Sequence, residues 1–209
     1  GSSKATGINS FAVGKISIAS GENSFVTGIQ NNATGLNSFA FGVSTLASGE
    51  QSLSLGRNTE AAGENAVALG EDNKSTGLNS LTTGSRNFSV GENSSSFGSL
   101  NSTDSKDSIV GGFNNSITGA PFSFVFGKEN INYATSIILG KANINNGLDA
   151  TVIGQENKIG DITGLDTIKA PKRVIAIGQL NTIGIDSGNS IVIGIDNEAD
   201  NANAFLMGT

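Results

Sequence analysis

The densest group of residues able to do chemistry in this chain lies between Gly160 and Arg173. There Ile162, Leu165 and Ile168 are interspersed with Asp161, Thr163, Asp166, Lys169, Lys172 and Arg173. Apolar anchors rimmed by charge suit the capture of a protein partner. Pro121 and Phe122 form a smaller candidate of the same kind, although Phe122 also suits a core position in a displaced coil. Nothing comparable points to catalysis. The 209 residues include no Cys, no His and no Trp. That excludes disulfides, zinc sites built on Cys or His, and Ser-His-Asp or Cys-His nucleophile systems. Glu22, Glu50, Glu64 and Glu92 recur singly after Gly, without the Gly-Gly-x-Gly-x-Asp spacing of calcium-binding solenoids. Asp104, Lys106 and Asp107 form no metal loop. No catalytic, metal-binding or cofactor-binding residue is assigned, and the chain reads as a non-enzyme without a cofactor.

Composition narrows the partners. Lys and Arg total 12 against 18 Asp and Glu, a net charge of −6 with no basic stripe, which argues against nucleic acid. No 18-residue apolar run and no leader segment are read, so direct membrane insertion by this segment is not expected. With 36% apolar and only 14% charged residues, the chain is too hydrophobic and too sparsely charged for a disordered one.

The element that must position these residues is a repeat. Gly falls at every seventh residue from Gly7 to Gly98. A coiled coil is excluded, because each Gly would cost a helix about 1 kcal/mol and no a/d Leu or Ile seam exists. Alternate heptads differ, so the true period is fourteen. One half reads Asn23-Ser24-Phe25-Val26-Thr27-Gly28, Asn37-Ser38-Phe39-Ala40-Phe41-Gly42 and, near the end, Asn189-Ser190-Ile191-Val192-Ile193-Gly194. Large and small residues alternate in it, as in a strand. The other half is polar and often places Asn three residues after the Gly: Asn31, Asn73, Asn87, Asn101, Asn115, Asn130, Asn143, Asn157, Asn181 and Asn197. Fourteen copies close at Gly14 through Gly208. Each copy predicts two short strands joined by two Gly-containing turns, Gly supplying a positive φ or a tight bend. Such units stack as a solenoid, and the recurrent Asn residues are expected to form ladders that satisfy backbone groups.

The alternation also predicts assembly. A fourteen-residue coil is narrow, and its interior suits Ala, Ser and Val. The large set then faces outward: Phe11, Val13, Phe25, Phe39, Phe41, Leu53, Leu55, Val67, Leu69, Phe124, Phe126, Ile137, Leu139, Ile175, Ile177, Ile191, Ile193, Phe205 and Met207. An apolar stripe of that size exceeds what a monomer normally exposes. It is expected to be an interface among identical chains, with the reverse assignment of faces left open.

The Asn-Ser-x-Ala-x-Gly copies, alternating with polar Gly-ended heptads from Thr6 to Thr209, resemble the YadA-like head repeats of trimeric autotransporter adhesins. The resemblance implies an all-β, left-handed parallel β-roll of about fourteen 14-residue coils, assembled as a homotrimer. It also implies display outside the cell, on a Gram-negative outer membrane, through neck, stalk and anchor segments that this sequence lacks. Members bind collagen, fibronectin, laminin or carcinoembryonic-antigen-related cell adhesion molecules (CEACAM), and the Asn, Ile, Ser and Phe richness resembles fusobacterial adhesins that use the last class. Residues 1–5 read as a tag remnant or disordered start, and 6–209 as one head domain with a loop inserted near 160–173.

The period breaks only in the second half. Gly112 to Gly127 spans fifteen residues, Gly127 to Gly140 thirteen, Gly154 to Gly178 twenty-four and Gly178 to Gly194 sixteen. Insertions in a solenoid emerge as surface loops, often on the binding face. The functional expectation is therefore an adhesin head that binds a host surface protein multivalently. The alternative is a spacer or phage-fibre segment with no receptor site of its own. The hexapeptide period and catalytic His of β-helix acyltransferases are absent, and Thr is too irregular for ice binding.

Overall fold

A computed structural model describes residues 2–160 and 171–208. Among them there is no helix; every regular element is a strand. The chain is a parallel β-solenoid of about fourteen turns, each contributing one strand of two residues and one of four to six, such as Ile18–Ala19 followed by Phe25–Ile29. It divides into two compact units, Gly1–Asp104 and Ser105–Thr209, each with seven of the long strands.

In the first unit each strand pairs in parallel with the residue fourteen further on. Phe25 lies beside Phe39, Gly28 beside Gly42, and Ala33 beside Ala47. Pairing starts at Lys4–Ala5, which lies against Ile18–Ala19, so the fold reaches into the stretch expected to precede it. The second unit keeps this pattern from Ile109–Phe113 to Phe205–Gly208, with offsets that follow its altered spacings: Phe124 pairs with Ile137 and Thr151 with Ile175.

The second residue of the five-residue long strands points inward. Val26, Ala40 and Ala68 are fully buried, whereas Phe11 is 51% and Leu55 46% exposed. This places the small set inside and the large set outside, the first of the two face assignments. The first unit is lined by Ala19, Ala33, Ala40 and Ala47 around Val26. Its later turns turn polar inside: Ser54 bonds Thr59 at 2.7 Å, Ser75 bonds Ser80 at 2.7 Å, and Ser89 donates to Ser96 at 2.9 Å. Burial of these hydroxyls is tolerable because they satisfy one another and nearby carbonyls. The second unit is lined by larger residues, among them Val110, Ile117, Val125, Ile138, Val152, Ile159 and Ile183.

The two corners of a turn use glycine differently. At the end of the long strand Gly28 has φ of 119°, a conformation closed to side chains. At the other corner Gly35 needs no positive φ; a Cβ there would overlap the carbonyl oxygen of Gly49 in the next turn. The left-handed residue of that corner is instead Asn37, with φ of 55°. Close approach to the next turn is thus common to both corners, since a Cβ at Gly28 would overlap the Gly42 carbonyl oxygen, and positive φ at Gly is confined to the end of the long strand in these turns.

Candidate protein-interaction surfaces

Three features could meet a partner, and the Asn ladder fixes where they lie. Asn31 is buried at the corner from long to short strand. Its amide donates to the carbonyls of Thr27 and Gly42, both at 2.7 Å, and its carbonyl accepts the Thr45 backbone N–H at 2.8 Å. In the second unit the same bonds run unbroken through Asn115, Asn130, Asn143, Asn157, Asn181 and Asn197. They bridge the longest insertion, where Asn181 N–H reaches Asn157 Oδ1 at 3.1 Å. This corner is locked. Length changes must be absorbed at the opposite corner, from short to long strand.

The first feature is the outer face of the long strands. None of the large residues assigned to it from sequence is buried. In the first unit Phe11 stacks on Phe25 with centroids 4.9 Å apart, and Phe25 meets Phe41 at 5.3 Å. Leu53, Leu55, Val67 and Leu69 continue these columns. In the second unit Phe124 stacks on Phe126 at 4.6 Å, and the columns run on through Ile137 and Leu139, Ile175 and Ile177, Ile191 and Ile193, to Phe205 and Met207. Gly111 interrupts one column. A Cβ at Gly111 would overlap the ring of Phe126, so that ring occupies the place of the missing side chain.

The second feature is the inserted loop. Ile162, Thr163, Leu165, Asp166, Ile168 and Lys169 lie outside the described residues. Lys172 and Arg173 are exposed at its far end, where Lys172 bridges to Leu148 and Arg173 N–H donates to the Leu148 carbonyl at 2.9 Å. The described flanks place the insertion at the short-to-long corner: Gly160 N–H still bonds the Ile183 carbonyl, and Leu148 N–H bonds that of Pro171.

The third feature lies at the same corner, at the Pro121–Phe122 pair that the sequence offers as a candidate, and includes a hollow that the sequence does not show. Phe122 is 70% exposed, with φ of 56°, and its N–H bonds the Lys106 carbonyl at 3.1 Å. It is not the core residue of a displaced coil; it takes the same exposed, left-handed corner position as Asn23, five residues before the Gly that ends the long strand. Beside Pro121 opens a hollow of about 420 Å³, lined also by Gly119, Tyr133, Ala134, Thr135, Asn146 and Leu148. The signal was present in the spacings. A turn one residue long is followed by a turn one residue short, and the short one is recessed between its neighbours.

A family model described as the YadA head domain repeat matches residues 1–15, 5–31, 19–45, 33–59, 47–73 and 61–85, in successive overlapping pairs of copies. Residues 1–85 carry YadA-like head repeats. The matches stop at Ser85, but the turns of the second unit repeat the same two-strand plan. YadA-like heads point to adhesins of the Gram-negative cell surface and are typically non-enzymatic. No curated protein matches the chain.

Proposed function

We propose that this YadA-like head is the binding head of a trimeric adhesin, which attaches the cell to a host surface protein such as a CEACAM-type receptor, collagen, fibronectin or laminin. The observation that carries the reading is the exposed apolar face of the long strands. Stacked Phe rings and aliphatic columns repeat there turn after turn, and an apolar patch on that scale marks an interface. Packing three identical faces around one axis removes it from water without leaving an open edge of association. The corners then remain outward, and the receptor contacts are assigned to Pro121, Phe122, Lys172 and Arg173 together with the insertion at 161–170. Three heads on one stalk multiply a weak single contact.

The test is solution mass by light scattering. A mass near three times the 21.1 kDa chain mass is expected, falling to one chain in Phe25→Asp/Leu55→Asp with the β circular dichroism retained. A monomeric wild-type chain at micromolar concentration overturns the trimer. Beads coated with the trimer are expected to retain at least one of the four host-protein classes; retention of none overturns the receptor reading.

A further inference from the structure

The hollow beside Pro121 is a product of turn length. The turn that closes at Gly127 carries one residue more than fourteen, and Gly119 takes it up with φ of 63° and open space around it. The next turn has one residue fewer and is drawn inward. Its Tyr133, Ala134 and Thr135 form the floor, with Pro121 on one side and Leu148 on the other. Thr135 holds the geometry by donating its hydroxyl to the Pro121 carbonyl at 2.9 Å. Pro, Tyr, Ala and Leu give apolar walls, and among the described residues no charged side chain lines the hollow. Its volume of about 420 Å³ exceeds that of a single aliphatic side chain.

Charge lies further out along the stack. Beyond Leu148 comes Lys172, with Arg173 beside it, both exposed and without an ion pair among the described residues. Beyond Pro121 comes Lys106. Asp107, Asp149 and Arg173 share the long-strand side of the same corner, Asp149 and Arg173 in register on adjacent turns, which leaves Lys106 and Lys172 as the charges in line with Pro121 and Leu148. Lys106 and Lys172 are four turns apart, which at the strand spacing is about 19 Å. A neutral hollow is thus centred between cations roughly 10 Å away on either side, in a chain whose net charge is −6.

We infer that this hollow takes one apolar side chain of a protein partner whose flanking residues are acidic. It rests on the adhesion reading for the biological source of that partner, and on the geometry alone for its chemistry. Buried apolar contact supplies the anchor, and the rim of charge selects orientation and speeds encounter.

Tyr133 is the only Tyr and no Trp is present, so intrinsic emission reports on this floor. The full chain is titrated with three capped heptapeptides at low salt: Glu-Gly-Gly-Leu-Gly-Gly-Glu, the same with Lys at both ends, and the acidic one with Ala for Leu. In an extended chain three residues span about 10 Å, which matches the cation spacing. The acidic Leu peptide is expected to bind about fivefold or more tightly than either control, and to weaken with salt. Lys172→Glu/Arg173→Glu is expected to shift preference to the Lys-ended peptide while circular dichroism is unchanged. Leu148→Ala is expected to weaken the Leu peptide alone. Equal responses to all three peptides, or none, would overturn the inference. The trimer mass and bead retention are unaffected by that result, so the two readings fail separately.

Discussion

The first unit, Gly1–Asp104, keeps one spacing throughout and gaps its Asn ladder, whereas the second, Ser105–Thr209, changes spacing four times and keeps its ladder whole. In the first, Ser17, Thr45 and Thr59 stand where Asn would. In the second, every such position is Asn, and the interior is Val and Ile instead of Ala and Ser. Regularity and side-chain locking substitute for each other. When each turn repeats its predecessor, close backbone stacking suffices. When one corner must absorb insertions, the other is held by amides and by a bulkier interior.

That comparison can be broken most sharply at glycine. Gly35→Ala, where a Cβ overlaps the next turn's backbone, is expected to cost about 4 kcal/mol or more in urea unfolding, while Gly119→Ala, with open space but positive φ, costs about 1–2 kcal/mol. Equal costs would mean the first unit is less tightly stacked than its geometry requires. Next come the interiors. Ile138→Ala leaves a cavity in the second unit and is expected to lose about 3 kcal/mol; Ala40→Gly in the first loses about 1–2 kcal/mol, from one methyl and added chain entropy.

The ladder gives a smaller effect of opposite signs. Asn143→Ala strands the Gly154 carbonyl and the Asn157 N–H, and is expected to cost about 2 kcal/mol by calorimetry. Thr45→Asn, which extends the ladder into one of the first unit's gaps, is expected to gain about 0.5–1 kcal/mol. A loss at Thr45→Asn would show that the gaps are required by packing. Smallest is the surface. Lys74 pairs with Glu60 at 2.9 Å across adjacent turns, partly exposed, so Lys74→Ala is expected to change unfolding by about 0.5 kcal/mol or less, and less still in high salt.

Much of this arrangement could be read from residues alone. The period set the turns, the large–small alternation set strands and their faces, and the Asn positions foretold the ladder. Three things were not legible. The glycines of the short-to-long corner look identical in sequence to those of the other corner; both sets stack closely on the next turn, yet only the long-to-short set also takes a positive φ. Phe122 reads as core because it is a large apolar residue, yet it stands at the exposed corner position that Asn fills in other turns, with Ser123 beside it as the buried residue. The hollow involves three successive turns, so it appears only when a long turn and a short turn are stacked.

Gly111 and the Phe126 ring that fills its place suggest how such a chain keeps count while folding. In a uniform solenoid, a strand that skips its neighbour and pairs with the next meets nearly the same partner, leaving fourteen residues looped out. Little in the first unit distinguishes that error from success. At Gly111 the error is visible: skipping the turn would set Leu139 over the gap, and an aliphatic side chain fills it poorly. One absent side chain and one ring thus serve as an index mark, making the wrong count distinguishable from the right one before the remaining turns are added.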